Sequence, residues 1–410
     1  MDNGQLRAGW QRKTINEIAI VKGGKRVPKG YKFESIPTQH PYITVSDFTD
    51  DGAVDTSRLK YISNEVFEQI KSYIISSDDL YISIAGTIGK TGYVSAELNG
   101  ANLTENACKL ILNNGVSKEF VYYFTKSNSF IEQTGINTRV AAQPKLALNR
   151  LKTISIPLPP LPEQKRIVAI LDEAFAGISL AVANAEKNLA NARELFESYL
   201  NNVFTQKGDG WKDNRLGDLT VIQSGGTPLK SKSDYWDEGD IAWFSSGELN
   251  NMETITPKSK ITPEGLNNSN AKLFPKGSLL IGMYDTAALK MSILDRDAAF
   301  NQAISGLKPN DGLDLRFVLH AINAIKPEVL KLRRGVRQKN LNLQKIKDIV
   351  ISVPEFSEQQ FVVKKLLVME KDVSRLETIY QQKLTALNEL KQSILQKAFT
   401  GELTQREENV

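Results

Sequence analysis

Apolar residues step by four and three along two long stretches of the chain. Ile167, Leu171, Ala174, Ile178, Ala181, Ala185, Ala192, Leu195 and Tyr199 make the first stripe, broken by Asn188. Val362, Leu366, Met369, Val373, Leu376, Tyr380, Leu387, Leu390 and Ile394 make the second, broken by Lys383. Each covers about five heptads, long enough to predict a coiled coil. Helices that served only to pack on their own domains would overhang them at this length. The first stripe is Ala-rich at its centre and the second Leu-rich, so small residues face large ones if the two helices pair. The first helix is expected to start at Pro162 or Glu163, after the stiff connector Pro157-Leu158-Pro159-Pro160-Leu161-Pro162, because proline suits only a helix's first turn. It should run to about Gln206, with Gly208 as a left-handed C′ residue. The second should open on Ser357 as N-cap, with Gln360 completing a capping box, and close at Thr400-Gly401. A short Gly208-Asp209-Gly210 link leads straight into the next globular stretch, which places that stretch at the far end of the first helix. The second helix then runs back, and the pair is expected to be antiparallel.

The intervening stretches have a different pattern. In the first, β-type runs at 42–45, 80–84, 109–112 and 154–156 are separated by turn clusters such as Gly23-Gly24, Asp50-Asp51-Gly52 and Asn113-Asn114-Gly115. Residues 120–126 and 144–151 read as helical, giving a mixed α/β unit without βαβ alternation. The second stretch repeats the first. Trp10, Ile15, Ile18 and Gly24 recur as Trp211, Leu216, Leu219 and Gly225 at an offset of 201, and residues 42–48 align with 243–249 at that offset. Leu146, Leu148, Leu151, Ile154, Pro159, Glu163-Gln164 and Phe204-Thr205 recur as Leu341, Leu343, Ile346, Ile349, Pro354, Glu358-Gln359 and Phe399-Thr400 at an offset of 195. Such a period is far too long for a solenoid. The expected fold class is α+β: two homologous domains at 1–157 and 208–354, alternating with two long helices at 158–207 and 355–402, and a tail at 403–410.

Composition adds little beyond placing the chain among ordinary globular proteins. Of 410 residues, 41% are hydrophobic and 24% charged, and this length allows two to four domains with real cores. A net charge of +5 leans towards an anionic partner. The single Cys108 excludes an internal disulfide framework and suits a reducing compartment. MDNGQLRAGW lacks the apolar core of a cleavable signal. Residues 167–183 are the closest approach to a membrane span, but Asp172 and Glu173 interrupt them. A soluble, cytoplasmic protein with no membrane partner is expected.

Catalytic chemistry is hard to find. His40, His320 and Cys108 stand apart, so no His/Cys metal cluster is expected. Gly86-Thr87-Ile88-Gly89-Lys90-Thr91 resembles the end of a phosphate-binding loop, but Ile84 stands where that motif needs glycine, and the second copy reads Tyr284-Asp285-Thr286-Ala287. The stretch is read as an exposed turn or a polar loop touching DNA. Basic clusters are the stronger signal. Lys22, Lys25, Arg26, Lys29 and Lys32 flank or follow Gly23-Gly24, and Lys230 and Lys232 follow Gly225-Gly226. Late in each domain stand Arg139-Val140-Ala141-Ala142-Gln143 and Arg333-Arg334-Gly335-Val336-Arg337-Gln338-Lys339-Asn340. Glycine-punctuated loops of Arg, Lys, Gln and Asn suit phosphate clamping and the reading of base edges. A single charge run is as often a solvated face; recurrence at equivalent places in two copies favours function.

Two further strings carry a resemblance: Pro159-Pro160-Leu161-Pro162-Glu163-Gln164-Lys165-Arg166-Ile167-Val168 and Leu395-Gln396-Lys397-Ala398-Phe399-Thr400-Gly401-Glu402-Leu403. With the repeat, they make the whole chain resemble the specificity subunits of Type I restriction–modification systems. The second copy departs at the entry to its helix, reading Pro354-Glu355-Phe356-Ser357-Glu358-Gln359. The resemblance implies that each domain recognises one half of a split, asymmetric site in double-stranded DNA. The helices would space the domains and dock two methyltransferase subunits, which recruit restriction/motor subunits. S-adenosylmethionine, ATP and magnesium would be bound by those partners, with no cofactor or metal in this chain and no catalysis by it. The residues expected to meet DNA are Lys22, Lys25, Arg26, Lys29, Thr87, Lys90, Thr91, Arg139 and Gln143 in the first domain. In the second they are Lys230, Lys232, Tyr284, Asp285, Thr286, Arg333, Arg334, Arg337, Gln338 and Lys339. The specificity subunit of a modification-only methyltransferase, a coiled-coil scaffold without DNA contact and a nucleotide hydrolase built on the 86–91 loop remain as alternatives.

Overall fold

Proline ends one element and opens the next at the base of the first long helix. Strand β9 (Ser155–Leu158) gives way at Pro159-Pro160, and the helix then runs unbroken over Leu161–Thr205. The computed structural model describes residues 6–135, 146–331 and 340–405. The chain divides into two units, residues 1–186 with 382–410 and residues 187–381, so each unit combines a domain with one half of each long helix.

In the first unit, the remaining strands are β1 (Gln11–Thr14), β2 (Ala19–Gly23), β3 (Pro41–Ile43), β4 (Lys60–Tyr61), β5 (Leu80–Ser83), β6 (Thr91–Gly92), β7 (Asn102–Leu103) and β8 (Ala107–Leu112). They form sheets in the orders β2-β8-β5-β6 and β4-β3-β7, while β1 pairs with β9. The four-stranded sheet is antiparallel throughout; in the other, β3 is antiparallel to β4 and parallel to β7. The second unit contains β10 (Lys212–Arg215), β11 (Ile222–Ser224), β12 (Ile241–Phe244), β13 (Ser259–Ile261), β14 (Leu279–Gly282), β15 (Met291–Ile293), β16 (Ala298–Phe300), β17 (Ile304–Leu307) and β18 (Val350–Val353). Its orders are β11-β17-β14-β15, β13-β12-β16 and β10-β18. The second unit thus reproduces the first strand for strand, direction included.

The central strands β5 and β14 are buried on both faces, which is why they read as continuous apolar runs rather than alternating ones. In the first unit Leu80, Ile82 and Leu110 pack with Phe120 and Phe124 and with the helix residues Ile167, Leu171, Leu395 and Phe399. In the second, Leu279, Ile281 and Leu307 pack with Phe317, Ile346 and Val363. The first long helix has an apolar window that meets the length and composition of a membrane span, yet its Ile167–Leu171–Phe175–Ile178 face belongs to this core.

Within each unit the helix halves run antiparallel. In the first, Lys391 Nζ lies 5.2 Å from the Phe175 ring centre, while Phe399 packs near the other helix's start. In the second, Arg193 pairs with Glu377 at 2.7 Å, and Trp211, beyond the helix end, donates to Glu358 at 2.9 Å.

A buried glutamine fixes each helix base. Gln164 Oε1 accepts from Ser117 N (2.8 Å), and its Nε2 donates to Pro159 O (2.8 Å) and Gly115 O (3.2 Å). Gln359 repeats this with Asp314 N (2.9 Å), Pro354 O (3.0 Å) and Gly312 O (3.3 Å). Leucine at 164 would fill the space but strand Ser117 N and Pro159 O. At about 1–3 kcal/mol per stranded group, Gln164→Leu should lower stability by about 2–6 kcal/mol, measured as a fall in the urea midpoint.

Several sequence expectations need correction. The second helix spans Phe356–Thr400, so Ser357 lies inside its first turn and is not the N-cap; the first free amides instead turn to Glu355 O. Gly208 is not left-handed. Its lack of a side chain matters for space, since a Cβ there would lie 3.0 Å from Trp211 Nε1 and 3.1 Å from Glu358 Oε1. Leu195 and Leu390 face outward, and Phe196 and Lys391 are less exposed. A straight helix drifts about 20° per heptad against a strict seven-residue repeat, so a seam of constant heptads loses the contact line over this length.

Candidate functional site

Backbone bonds draw the predicted loops to one end of each four-stranded sheet. In the first unit, Gly24 N donates to Ala107 O (2.9 Å), Lys25 N to Leu103 O (2.8 Å) and Ile84 N to Asn106 O (2.8 Å). Leu146 N donates to Ile84 O (2.8 Å), and Thr104 N to Ile43 O (3.0 Å). The second unit repeats each link: Gly225 N to Ile304 O (3.2 Å), Gly226 N to Phe300 O (2.9 Å), Met283 N to Ala303 O (2.9 Å), Leu341 N to Met283 O (2.8 Å) and Asn301 N to Phe244 O (2.9 Å). The glycine loop, the turn after β3 or β12, the hairpin loop after β5 or β14 and the turn before β8 or β17 therefore converge. Leu146 and Leu341 are held beside the hairpin loops by these bonds.

The turn after β3 or β12 is itself preset. Thr44 N and Oγ1 both donate to Asp47 Oδ2 (2.7 and 2.8 Å), and Ser245 N and Oγ donate to Glu248 Oε2 (2.8 and 2.7 Å). Burial works against the Glu248 charge, but amide donors from Lys258 and Ser245 hold its carboxyl below the usual range.

The predicted residues fall in different places, and Lys90, half-buried, is turned onto Phe48 O and Asp50 rather than outward. Lys25, Arg26, Lys29 and Thr87 are exposed in the first unit, and Lys230, Lys232, Tyr284 and Thr286 in the second. Arg26 Nε donates to Glu105 Oε1 at 2.6 Å with most of its own side chain exposed. This bond raises the guanidinium's pKa; burial opposes the Glu105 charge, yet Arg26 holds that carboxyl low. Lys232 Nζ turns back to Tyr235 OH at 3.1 Å. Asp285 opens a short turn, Asp285–Ala287. Lys22 is exposed but lies within β2, in register with Lys109, rather than in the loop. Thr91 is a correction: it belongs to β6, is fully buried, and its hydroxyl bonds to Thr125 Oγ1 at 2.6 Å, so it cannot meet a ligand. Arg139, Gln143, Arg333, Arg334, Arg337, Gln338 and Lys339 lie outside the described residues.

The sequence reading did not single out several exposed polar groups near these loops. Ser46 is exposed on the turn after β3, Asn250 on the turn after β12, and Thr227 Oγ1 donates to exposed Gln302 at 2.5 Å. The matching of 42–48 with 243–249 was the available signal, since both segments form these turns.

Among the described residues no group of three His, Cys, Asp or Glu is placed to hold a metal. Burial pushes the Cys108 thiol up to about 12 and the His320 imidazole down to about 4. The 86–90 loop runs into strand β6 and not into a helix, so it has no helix N-terminus with which to hold a nucleotide phosphate.

Residues 7–188 and again 208–391 match the family described as the Type I restriction modification DNA specificity domain. The chain is 27% identical over 228 residues to the Type I restriction enzyme EcoR124I/EcoR124II specificity subunit of Escherichia coli, an alignment spanning 52% of this chain and 54% of that protein. It is 23% identical over 427 residues to the putative Type I restriction enzyme MjaX specificity subunit of Methanocaldococcus jannaschii, covering 98% and 95%. Among solved structures, the HsdS subunit from Thermoanaerobacter tengcongensis shares the fold with a TM-score of 0.63 at 20% identity, over 98% of this chain and 99% of that one. A chain from a study of complex assembly and conformational transition of the type I R-M system reaches 0.79 at 20% identity, over 97% and 100%.

Proposed function

This chain belongs to the Type I restriction modification DNA specificity family, and from that premise we propose that it is the DNA-reading and assembly subunit of a Type I restriction–modification complex. The observation that carries this reading is the duplicated loop cluster. Two units of one topology each gather a glycine loop, a preset turn and a hairpin loop at one sheet end, with exposed cations beside them. Lys25, Arg26 and Lys29 suit the phosphate backbone of double-stranded DNA, and short polar side chains such as Thr87 and Thr286 suit base edges. Each unit reads one half of a bipartite, asymmetric target, because the two clusters share architecture but not side chains.

The long helices set the spacing of the halves and dock two methyltransferase subunits, which bring in the restriction/motor subunits. Those partners bind S-adenosylmethionine, ATP and magnesium, and this chain contributes no catalytic group. The complex acts on DNA in the cytoplasm. Replacing residues 1–155 by the same region of a relative tests the reading. The methylated motif should change in one half and persist in the other. A motif scrambled in both halves would contradict independent units.

A further inference from the structure

We propose that Lys90 and Lys290 are positioning residues that set base discrimination, each locking the hairpin loop of its own unit to the turn after β3 or β12. The inference rests on the DNA-reading function proposed above. Both lysines close the hairpin in the same way: Ser83 N donates to Lys90 O (2.9 Å), and Gly282 N to Lys290 O (2.8 Å). The residue before each is left-handed, Gly89 at φ +89° and Leu289 at φ +56°. A left-handed leucine costs about 1–2 kcal/mol, and such a conformation persists only where its surroundings over-determine it. That backbone delivers both ammonium groups to equivalent places. Lys90 Nζ donates to Phe48 O (3.0 Å) and pairs with Asp50 Oδ1 (2.8 Å); Lys290 Nζ donates to Asn250 Oδ1 (2.9 Å).

The acceptor is a carboxylate in one unit and a neutral amide in the other. What the copies share is therefore the tether rather than the ion pair. Lys90 is turned inward, 29% exposed against 93% for Asp50, and two of its three N–H donors already hold the tether, which makes fixing the turn its first task and a phosphate contact the rival reading that the salt dependence below separates. The tethered segments carry exposed Thr87 and Ser46 in the first unit. Reading a base edge needs such groups held to within about 0.5 Å, and this is what the tether supplies.

The test uses the full-length chain and a pool of randomised duplexes, with the retained duplexes sequenced. Lys90→Met should cost about tenfold of base discrimination in one half of the enriched motif and leave the other half unchanged; Lys290→Met should do the reverse. Lys90→Arg, and Asp50→Asn, which installs the second unit's acceptor in the first, should keep both halves. The salt dependence of affinity should not change in Lys90→Met, whereas loss of a phosphate-bound lysine would flatten the log–log slope by about 1. Without DNA, amide exchange at Thr49 and Gly52 should quicken about tenfold in Lys90→Met, as expected when a local opening becomes easier. If that variant does not fold, Asn250→Ala carries the same motif test in the second unit. Intact motifs in both methionine variants, or a flattened slope with an intact motif, would overturn the tether. A wild-type chain that enriches no bipartite motif overturns the DNA-reading function instead, and unchanged amide exchange in Lys90→Met then removes the tether separately.

Discussion

Raising salt tenfold from low to near-physiological concentration and above should weaken binding of the full chain to duplex DNA by about 10⁵-fold, a log–log slope on the order of −5. Each phosphate neutralised by a cation contributes about 0.9 to that slope through counterion release. Lys25, Arg26, Lys29, Lys230 and Lys232 are exposed on the two glycine loops, and the late arginine stretches would steepen the dependence. Arg26 tempers it, because the guanidinium already donates to Glu105 and must divide its donors with a phosphate. Titration of a labelled duplex at several salt concentrations measures the slope. A value near zero would leave two helices and two domains without a nucleic-acid partner, which is the scaffold alternative.

That the glycine segments and the 86–90 segment form loops was legible in the sequence, because the repeat exposes equivalent residues and because turn residues and charge mark loops. The long helices were legible because one period runs over their whole length, and strand β5 because its apolar run is short and bounded by turn residues. The failures have physical causes too. Strand β2 alternates in burial but contains Lys22 and ends on Gly23, so its composition reads as a turn. Thr91 looked like the last residue of a loop, yet the loop closes at Lys90 and the next side chain enters the core beside Thr125. Lys290 was missed because its partner, Asn250, is brought to it only by the fold. Gln164 and Gln359 were visible as a repeated pair, but that each holds two carbonyls and an amide of its own domain is a tertiary fact.

Alanine at Gly24 should destabilise the first unit by about 3–5 kcal/mol and abolish reading of its half-site. The glycine is required here by proximity and not by its backbone angles. A Cβ at position 24 would lie 2.1 Å from Thr104 O and 2.3 Å from Leu103 O, and one at 225 would lie 2.0 Å from Phe300 O. Real side chains do not come so close to a carbonyl oxygen, so the strand end must lift. Lifting it breaks the bonds from Gly24 N to Ala107 O and from Lys25 N to Leu103 O, and with them the register of the exposed cations against the other loops. Gly23→Ala serves as the neighbouring control, since its Cβ would meet only Leu148 Cδ1, at 3.4 Å. Gly247→Ala does so in the second unit, with no atom within 4 Å. Urea midpoints and duplex selection on the four variants separate the effects. Gly24→Ala and Gly225→Ala should each lose stability and one half of the motif, while the two controls keep their stability. A Gly24→Ala protein as stable as the wild type would mean that β2 can leave the 103–104 turn at no cost, and the convergence of loops at this sheet end would then have no energetic basis.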